Sequence, residues 1–128
     1  MIYELVMAGS AFAALELRLR LGGVKIIKVN TLPAKGAAAM SLPGYVLMKE
    51  YVWNDEDVLA HELMHIEQMK RYTIAGVCVL MGLHYGVGMV QEFLTNPKGF
   101  SMRESFWTLW HTNPLEREAN SVMYRGEY

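Results

Sequence analysis

The spacing of apolar residues changes along the first thirty positions of the chain. Residues 2–14 have the spacing of a helix, and residues 15–21 then alternate strictly between apolar and charged side chains, as a half-buried strand does. With Gly22-Gly23 as a turn and the β-branched residues 24–29 as a second strand, this pattern predicts a hairpin. An equally good interpretation extends the first helix to Leu21 and ends it at Gly22, because Leu and Arg are strong helix formers.

The middle of the chain predicts a loop, a strand and a long helix. Residues 31–44 contain two prolines and two glycines, which indicates a loop or an irregular edge segment, and residues 45–52 have the pattern of a strand. A helix follows over about 54–72, with Asn54 as a candidate cap, acidic residues in its first turn and basic residues in its last. We therefore expect one α+β domain over residues 1–128, with a small sheet or hairpin packed on this helix and a helical C-terminal half.

Residues 73–90 are almost wholly apolar. Their length is at the lower limit for crossing a bilayer, but His84 and several glycines interrupt them. We expect a buried central helix or helix pair behind helix 54–72, with membrane association as the less favoured alternative. His84 is then a hydrogen-bonded core histidine rather than a metal ligand. The aromatic residues that follow at helical spacing are expected to be core contacts, with a partner-binding groove as the alternative: Phe106, Trp107 and Trp110.

Composition narrows the class of protein. The 128 residues are 52% hydrophobic and have a net charge of −1. Because basic residues are not in excess, a nucleic acid is not expected as a partner. The single cysteine, Cys78, lies in an apolar run and is expected to be a small buried hydrophobe. Glu4 stands where a signal peptide would have positive charge, so we expect no secretion signal and a cytoplasmic protein.

The stretch LAHELMHIEQ (residues 59–68) carries the candidate chemistry. On a helix, His61 and His65 lie one turn apart on the same face and can direct both imidazoles at one point, where neutral imidazoles suit Zn²⁺. Glu62 follows the first histidine, as in HExxH sites where this acid acts on water rather than on the metal. The alternative is a solvent-facing helix whose two histidines have no function.

A second motif lies near the C-terminus, in HTNPLEREANSVMY. Asn113-Pro114 predicts a helix start, after which Glu116 and Asn120 share one face. Together the two motifs resemble the gluzincin class of zinc metallopeptidases, in which HExxH is followed by Glu-x-x-x-Asp. The resemblance implies Glu116 as the third ligand beside the two histidines. It also implies that Asn120 orients a ligand histidine, as an uncharged replacement for the family's aspartate. Glu118 is the second candidate for the third ligand.

HELMHIEQMKRY and NPLEREA are also similar to segments of small bacterial and phage-borne metallopeptidases, an outline that covers about residues 24–122. The resemblance implies a minimal zincin-like domain that cleaves a peptide or protein substrate, with Zn²⁺ as cofactor and Glu62 as general base. It also makes residues 36–47 the candidate substrate-side segment. Candidate donors to the oxyanion are Tyr72, Tyr85, His111 and Tyr124, although a packing or surface role is favoured for His111.

A different class of function stays open. The metal can serve only to join two helices in a non-catalytic assembly or interaction module, of phage or bacterial origin, that acts through an oligomer or a protein partner. The small size of the chain and the amide at Asn120 favour this alternative. Glu62 favours the enzyme, because a purely structural metal site has no use for an acid at that position.

Overall fold

The structure is a computed structural model that describes residues 1–34 and 36–123. These residues form five helices and a small three-stranded sheet, so the expected α+β class is confirmed, with helix predominating. The elements, in chain order, are α1 (Ile2–Leu21), β1 (Lys25–Val29), β2 (Ala39–Leu42), β3 (Tyr45–Lys49), α2 (Glu56–Tyr72), α3 (Ile74–Thr95), α4 (Met102–Thr112) and α5 (Pro114–Ser121), with a 3₁₀ turn at Glu50–Val52.

The first helix runs without a break to Leu21, so the hairpin interpretation is wrong and the helix interpretation is right. The alternation of leucines does not mark a buried face, because Leu19 is buried whereas Leu17 and Leu21 are 59% and 78% exposed. Strong helix formers therefore determine the local structure. Gly22 ends the helix with an N–H bond to the Arg18 carbonyl, in an extended rather than a left-handed conformation.

The sheet has the order β1-β3-β2, with β1 parallel and β2 antiparallel to β3. Strand β2 lies inside the segment expected to be a loop, and β3 ends at Lys49 rather than at Val52. The turn between the two strands is Pro43-Gly44, where Gly44 has a φ of +80°. This pairing of proline and a left-handed glycine is that of a type II turn. Because β2 pairs only with β3 in this order, it is a short edge strand.

The core lies between the sheet and α2. Val46 and Met48 of β3 face Val58 and Ile66 of α2, and Leu19 of α1 closes one end. Helix α2 is capped by Asp55 rather than by Asn54, since the Asp55 carboxylate accepts hydrogen bonds from the N–H groups of the first turn. The helix itself covers nearly the range predicted.

The expectation that residues 73–90 are buried is wrong. Within α3, which is described throughout, only Ile74 is buried. One face of the helix packs on α4 and the N-terminal part contacts α2, but none of the other described elements covers the outer face. Cys78 is exposed for the same reason. The helix is long and apolar enough to cross a membrane by length and composition, with 6% of its most apolar window buried.

The aromatic residues of α4 are only partly core contacts. Phe106 stacks on Tyr85 of α3 at 5.2 Å between ring centroids, and Trp110 lies beside Phe106. Phe106 and Trp107, however, are 40% and 53% exposed. The prediction that all three pack in the core is therefore wrong for these two residues, because α4 is a peripheral helix with one neighbour on this side.

Candidate metal centre

Helix α2 presents two different faces, and the site lies where they meet. Val58, Glu62 and Ile66, at intervals of four residues, are the buried positions turned toward the core. His61 and His65 occupy the neighbouring face and point toward α5. One helix therefore supplies both the candidate metal ligands and the candidate base.

Helix α5 is held in place by its first residues. The Asn113 side chain accepts a hydrogen bond from the Leu115 N–H, and Pro114 occupies the first turn, where its missing N–H has no cost. Asn113 also donates to the Tyr85 hydroxyl of α3 at 3.3 Å. Since Leu115, Glu116 and Ala119 are the buried positions of the helix, its rotation directs Glu116 inward at α2.

The structure brings His61, His65 and Glu116 together. The two Nε2 atoms are 3.1 Å apart, and each contacts a different oxygen of Glu116, His61 at 3.2 Å and His65 at 3.1 Å. Taking one donor atom from each residue, the three lie within 4.8 Å of one another. Two segments separated by about fifty positions in sequence thus converge on one point.

The donor set fits Zn²⁺. Two imidazole nitrogens and a carboxylate are the protein ligands of many catalytic zinc sites, and ligand bonds of about 2.0–2.1 Å in a tetrahedron place neighbouring donors about 3.3 Å apart. The distance of 3.1 Å between the two Nε2 atoms is close to that value, and each Nε2 lies 3.1–3.2 Å from one of the two oxygens of Glu116. Three ligands also leave the fourth position of a tetrahedron open, as in catalytic rather than structural zinc sites.

The charges in the cluster are strongly coupled. Burial raises the pKa of Glu116, but hydrogen bonds with His61 and His65 outweigh burial and lower that pKa from 4.5 to about 2. Burial lowers the pKa of His65, but the hydrogen bond and negative charge of Glu116 outweigh it, so the pKa of His65 is raised. In the metal-free protein the carboxylate is therefore ionised and favours a proton on His65, which a metal ion has to displace.

Gln68 orients His65. Its side-chain oxygen lies 2.9 Å from His65 Nδ1, and its amide nitrogen donates to the Leu115 carbonyl at 2.8 Å. Because the amide oxygen can only accept, Nδ1 of the neutral ring must carry the proton, and Nε2 is left with its lone pair toward the cluster. Gln68 is 1% exposed. Its role was not predicted from the sequence, although its position three residues after His65 was the available signal.

Glu62 is buried against β2. The Ser41 hydroxyl lies 2.5 Å from Glu62 Oε2 and 2.7 Å from the Glu62 carbonyl oxygen. Its single proton can serve one of these acceptors at a time. The negative charge of Glu62 also contributes to the raised pKa of His65. Ser41 was not predicted from the sequence, and it fixes the candidate base to the edge strand.

The other two candidate site residues of α5 are not part of the cluster. Glu118, the second candidate for the third ligand, accepts a hydrogen bond from Arg71 at 2.7 Å, and this ion pair lowers the pKa of Glu118. The buried Oδ1 of Asn120 has no hydrogen-bond partner among the described residues, so in this structure it is Gln68 that orients a histidine.

The candidate oxyanion donors are scattered. Tyr85 is hydrogen-bonded to Asn113, His111 is exposed at the end of α4, and Tyr124 lies outside the described residues. Tyr72 lines a cavity of about 380 Å³ together with His84, whose ring nitrogen is hydrogen-bonded to the Leu109 carbonyl at 2.7 Å. None of the three candidate metal ligands, His61, His65 and Glu116, lines that cavity. His84 is thus a hydrogen-bonded histidine, as expected, on a helix that is more exposed than expected.

Comparisons of the chain with models of protein families, with curated proteins and with solved structures found no match.

Proposed function

We propose that this protein is a zinc-dependent peptidase in which His61, His65 and Glu116 hold the metal ion and Glu62 is the general base. The observation that carries the proposal is the convergence of the three donors from two distant segments: the two Nε2 atoms lie 3.1 Å apart, and each contacts an oxygen of Glu116. Glu62 follows the first of the two histidines on the same helix. A bound Zn²⁺ supplies a Lewis acid that acidifies water and polarises a carbonyl group.

Three side chains around the metal position have separate roles in binding and proton transfer. Gln68 holds His65 in the tautomer that leaves Nε2 free to bind. Glu62, adjacent to the ligands, is placed to accept a proton from the attacking water and to return it to the leaving amine. Ser41 donates to Glu62 and so restricts the directions in which the carboxylate can accept a proton.

Strand β2 supports a peptide as the substrate. It is an edge strand that packs against α2, and its Ser41 contacts the candidate base. An extended peptide that pairs with the free edge of such a strand lies along the site with its carbonyl groups evenly spaced. Strand β2 lies at the centre of residues 36–47, the segment predicted to pair with the substrate.

Two measurements test the proposal. Elemental mass spectrometry of purified protein is expected to find about one zinc ion per chain, lost in His65→Ala. Hydrolysis of a fluorescence-quenched peptide library is expected for the wild type and is expected to fall by a factor of at least about 100 in Glu62→Gln, which keeps its zinc. Wild-type protein that binds no zinc when zinc is supplied would refute the metal site.

Glu67→Gln is the matched control for the base. This glutamate is on the same helix and its side chain is 60% exposed, in an ion pair with Lys70. The control variant is expected to keep both zinc and turnover. If the wild type binds zinc yet cleaves no peptide in the library, and if removing zinc dissociates an oligomer or lowers the melting temperature, the metal-stabilised assembly module becomes the better interpretation.

A further inference from the structure

The first fourteen residues of α1 are mostly apolar and are exposed on every side. All residues from Ile2 to Leu15 are exposed, and residues 5–15 contain no charged side chain. Apolar residues are not confined to one stripe, so no single face of the helix is prepared for a protein partner. A helix of this kind is stable only where its whole circumference is surrounded by apolar material.

Helix α3 has an exposed apolar stripe along its whole length. Six Val and Leu side chains that are 42–72% exposed fall within an arc of about 100° on the helix surface. They are Val79, Leu80, Leu83, Val87, Val90 and Leu94. The opposite face is occupied, since Tyr85 stacks on Phe106 and Leu109 packs close to Gly88. We name the surface of Ile2–Leu15 together with these six side chains the apolar surface.

The length of α3 matches a bilayer. Its 22 residues extend about 33 Å, against a hydrocarbon thickness of about 30 Å. Residues 74–91 contain no Asp, Glu, Lys or Arg. The stripe offers no hydrogen-bonding side chain that would specify a protein partner, whereas lipid chains require none.

Basic residues collect where the two apolar helices meet. The Glu16 carboxylate of α1 accepts the Ile74 N–H, and Arg20 donates to the Lys70 carbonyl at 3.4 Å, so the end of α1 is fixed to the α2–α3 junction. Arg18, Lys70 and Arg71 lie at the same ends of their helices. Three of these cations are ion-paired, with Glu16, Glu67 and Glu118, so the junction is a cluster of charged side chains of both signs. Charged side chains beside an inserted apolar helix lie at the level of the lipid headgroups rather than in the hydrocarbon.

We propose that the apolar surface inserts into a lipid bilayer, with the charged α1–α2–α3 junction at the headgroups. The proposal uses none of the metal-site residues and does not rest on the proposed peptidase function. It also explains why α3 lacks cover in the folded chain: the bilayer supplies the environment that a larger core would otherwise provide.

Flotation with vesicles tests the proposal. Full-length protein purified in mild detergent is mixed with vesicles of phosphatidylcholine and phosphatidylglycerol, the detergent is removed, and the vesicles are floated and washed with alkaline carbonate. Wild-type protein is expected to float and to stay with the vesicles after the wash. Leu83→Glu combined with Val87→Glu is expected to lower the ratio of vesicle-bound to free protein by a factor of at least about 10.

Tyr51→Glu is the matched control. Tyr51 is 72% exposed and lies outside α1 and α3, so this variant makes the same kind of change without touching the apolar surface. It is expected to float like the wild type. Wild-type protein that stays at the bottom of the gradient as a monodisperse monomer or dimer would overturn the proposal, as would flotation of the double variant at the wild-type level.

A second measurement replaces one stripe residue by cysteine rather than by a charged residue, so it does not depend on the folding of the double variant. Cys78, the only cysteine in the sequence, lies outside the six-residue stripe and is replaced by serine, whereas Leu83 lies within the stripe and is 58% exposed. A nitroxide attached to the Leu83→Cys variant in the Cys78→Ser background, in vesicle-bound protein, is expected to be more accessible to oxygen, which dissolves in hydrocarbon, than to a water-soluble nickel chelate. The reverse order of accessibility would place α3 in water and contradict insertion.

Discussion

The coupling between Glu116 and the two histidines predicts a specific pH dependence of stability in the metal-free protein. A carboxyl group whose pKa is lowered from 4.5 to about 2 in the folded state stabilises that state above its unfolded pKa. The contribution is about 3 kcal/mol at pH 6. It decreases as the pH falls toward 2, and at pH 3 about 1 kcal/mol remains, so about 2 kcal/mol is lost between pH 6 and pH 3.

The variant Glu116→Gln isolates this contribution. The amide keeps the shape of the side chain and can still hydrogen-bond to both rings, but it does not titrate. Between pH 6 and pH 3 the wild type is expected to lose about 2 kcal/mol more stability than the variant. For a chain of this length that difference is about 6–10 °C in melting temperature. Comparing the two proteins at each pH cancels the acid sensitivity of the other carboxylates.

The assay is thermal unfolding followed by circular dichroism in one detergent buffer, on protein dialysed free of metal. His65 determines the alkaline side of the stability profile. Its raised pKa stabilises the folded state fully below about pH 6.5, and this stabilisation is lost as the pH rises through the raised value. The wild type is therefore expected to be most stable, relative to Glu116→Gln, at about pH 5–6. Parallel melting profiles from pH 3 to pH 6 would refute the coupling.

Three further predictions follow from individual contacts. Gln68→Ala removes the acceptor that fixes the His65 tautomer, and it is expected to weaken zinc binding about 10- to 100-fold in competition with a fluorescent chelator; unchanged affinity would contradict this role. In the same assay, wild-type zinc affinity is expected to fall about tenfold per pH unit below the raised pKa of His65, and a flat profile from pH 8 to pH 6 would contradict it. Gly44→Ala forces a side chain into a φ of +80° and is expected to cost about 1–2 kcal/mol in unfolding experiments, whereas the control Gly82→Ala, in an open helical position, is expected to be neutral or stabilising.

The helix that carries the histidines was predictable because several local signals agree there. Acidic residues in the first turn, basic residues in the last, and the intervals between Val58, Glu62 and Ile66 all indicate one amphipathic helix. The spacing of His61 and His65 then fixes their common face. These are properties of the chain within a few residues, and the structure departs from the prediction mainly in the identity of the cap.

The elements that were mispredicted depend on distant parts of the chain. The spacing of the leucines in residues 15–21 fits a helix or a strand equally well, and it did not show that Leu19 belongs to the core while Leu17 and Leu21 are exposed. The apolar composition of α3 indicates burial against something, but not whether the cover is protein. With only α4 available on one side, the folded chain leaves the outer stripe exposed, and no local pattern could show that.

The choice between Glu116 and Glu118 also depends on tertiary structure, and Gln68 shows how it is made. Its amide nitrogen donates to the Leu115 carbonyl at the start of α5, while its oxygen accepts from His65. The same amide therefore orients one candidate ligand and fixes the helix that carries another. With Leu115 fixed in this way, Glu116 turns toward the histidines and Glu118 turns toward Arg71. The two motifs form one site because a buried side chain of the first is hydrogen-bonded to the backbone of the second.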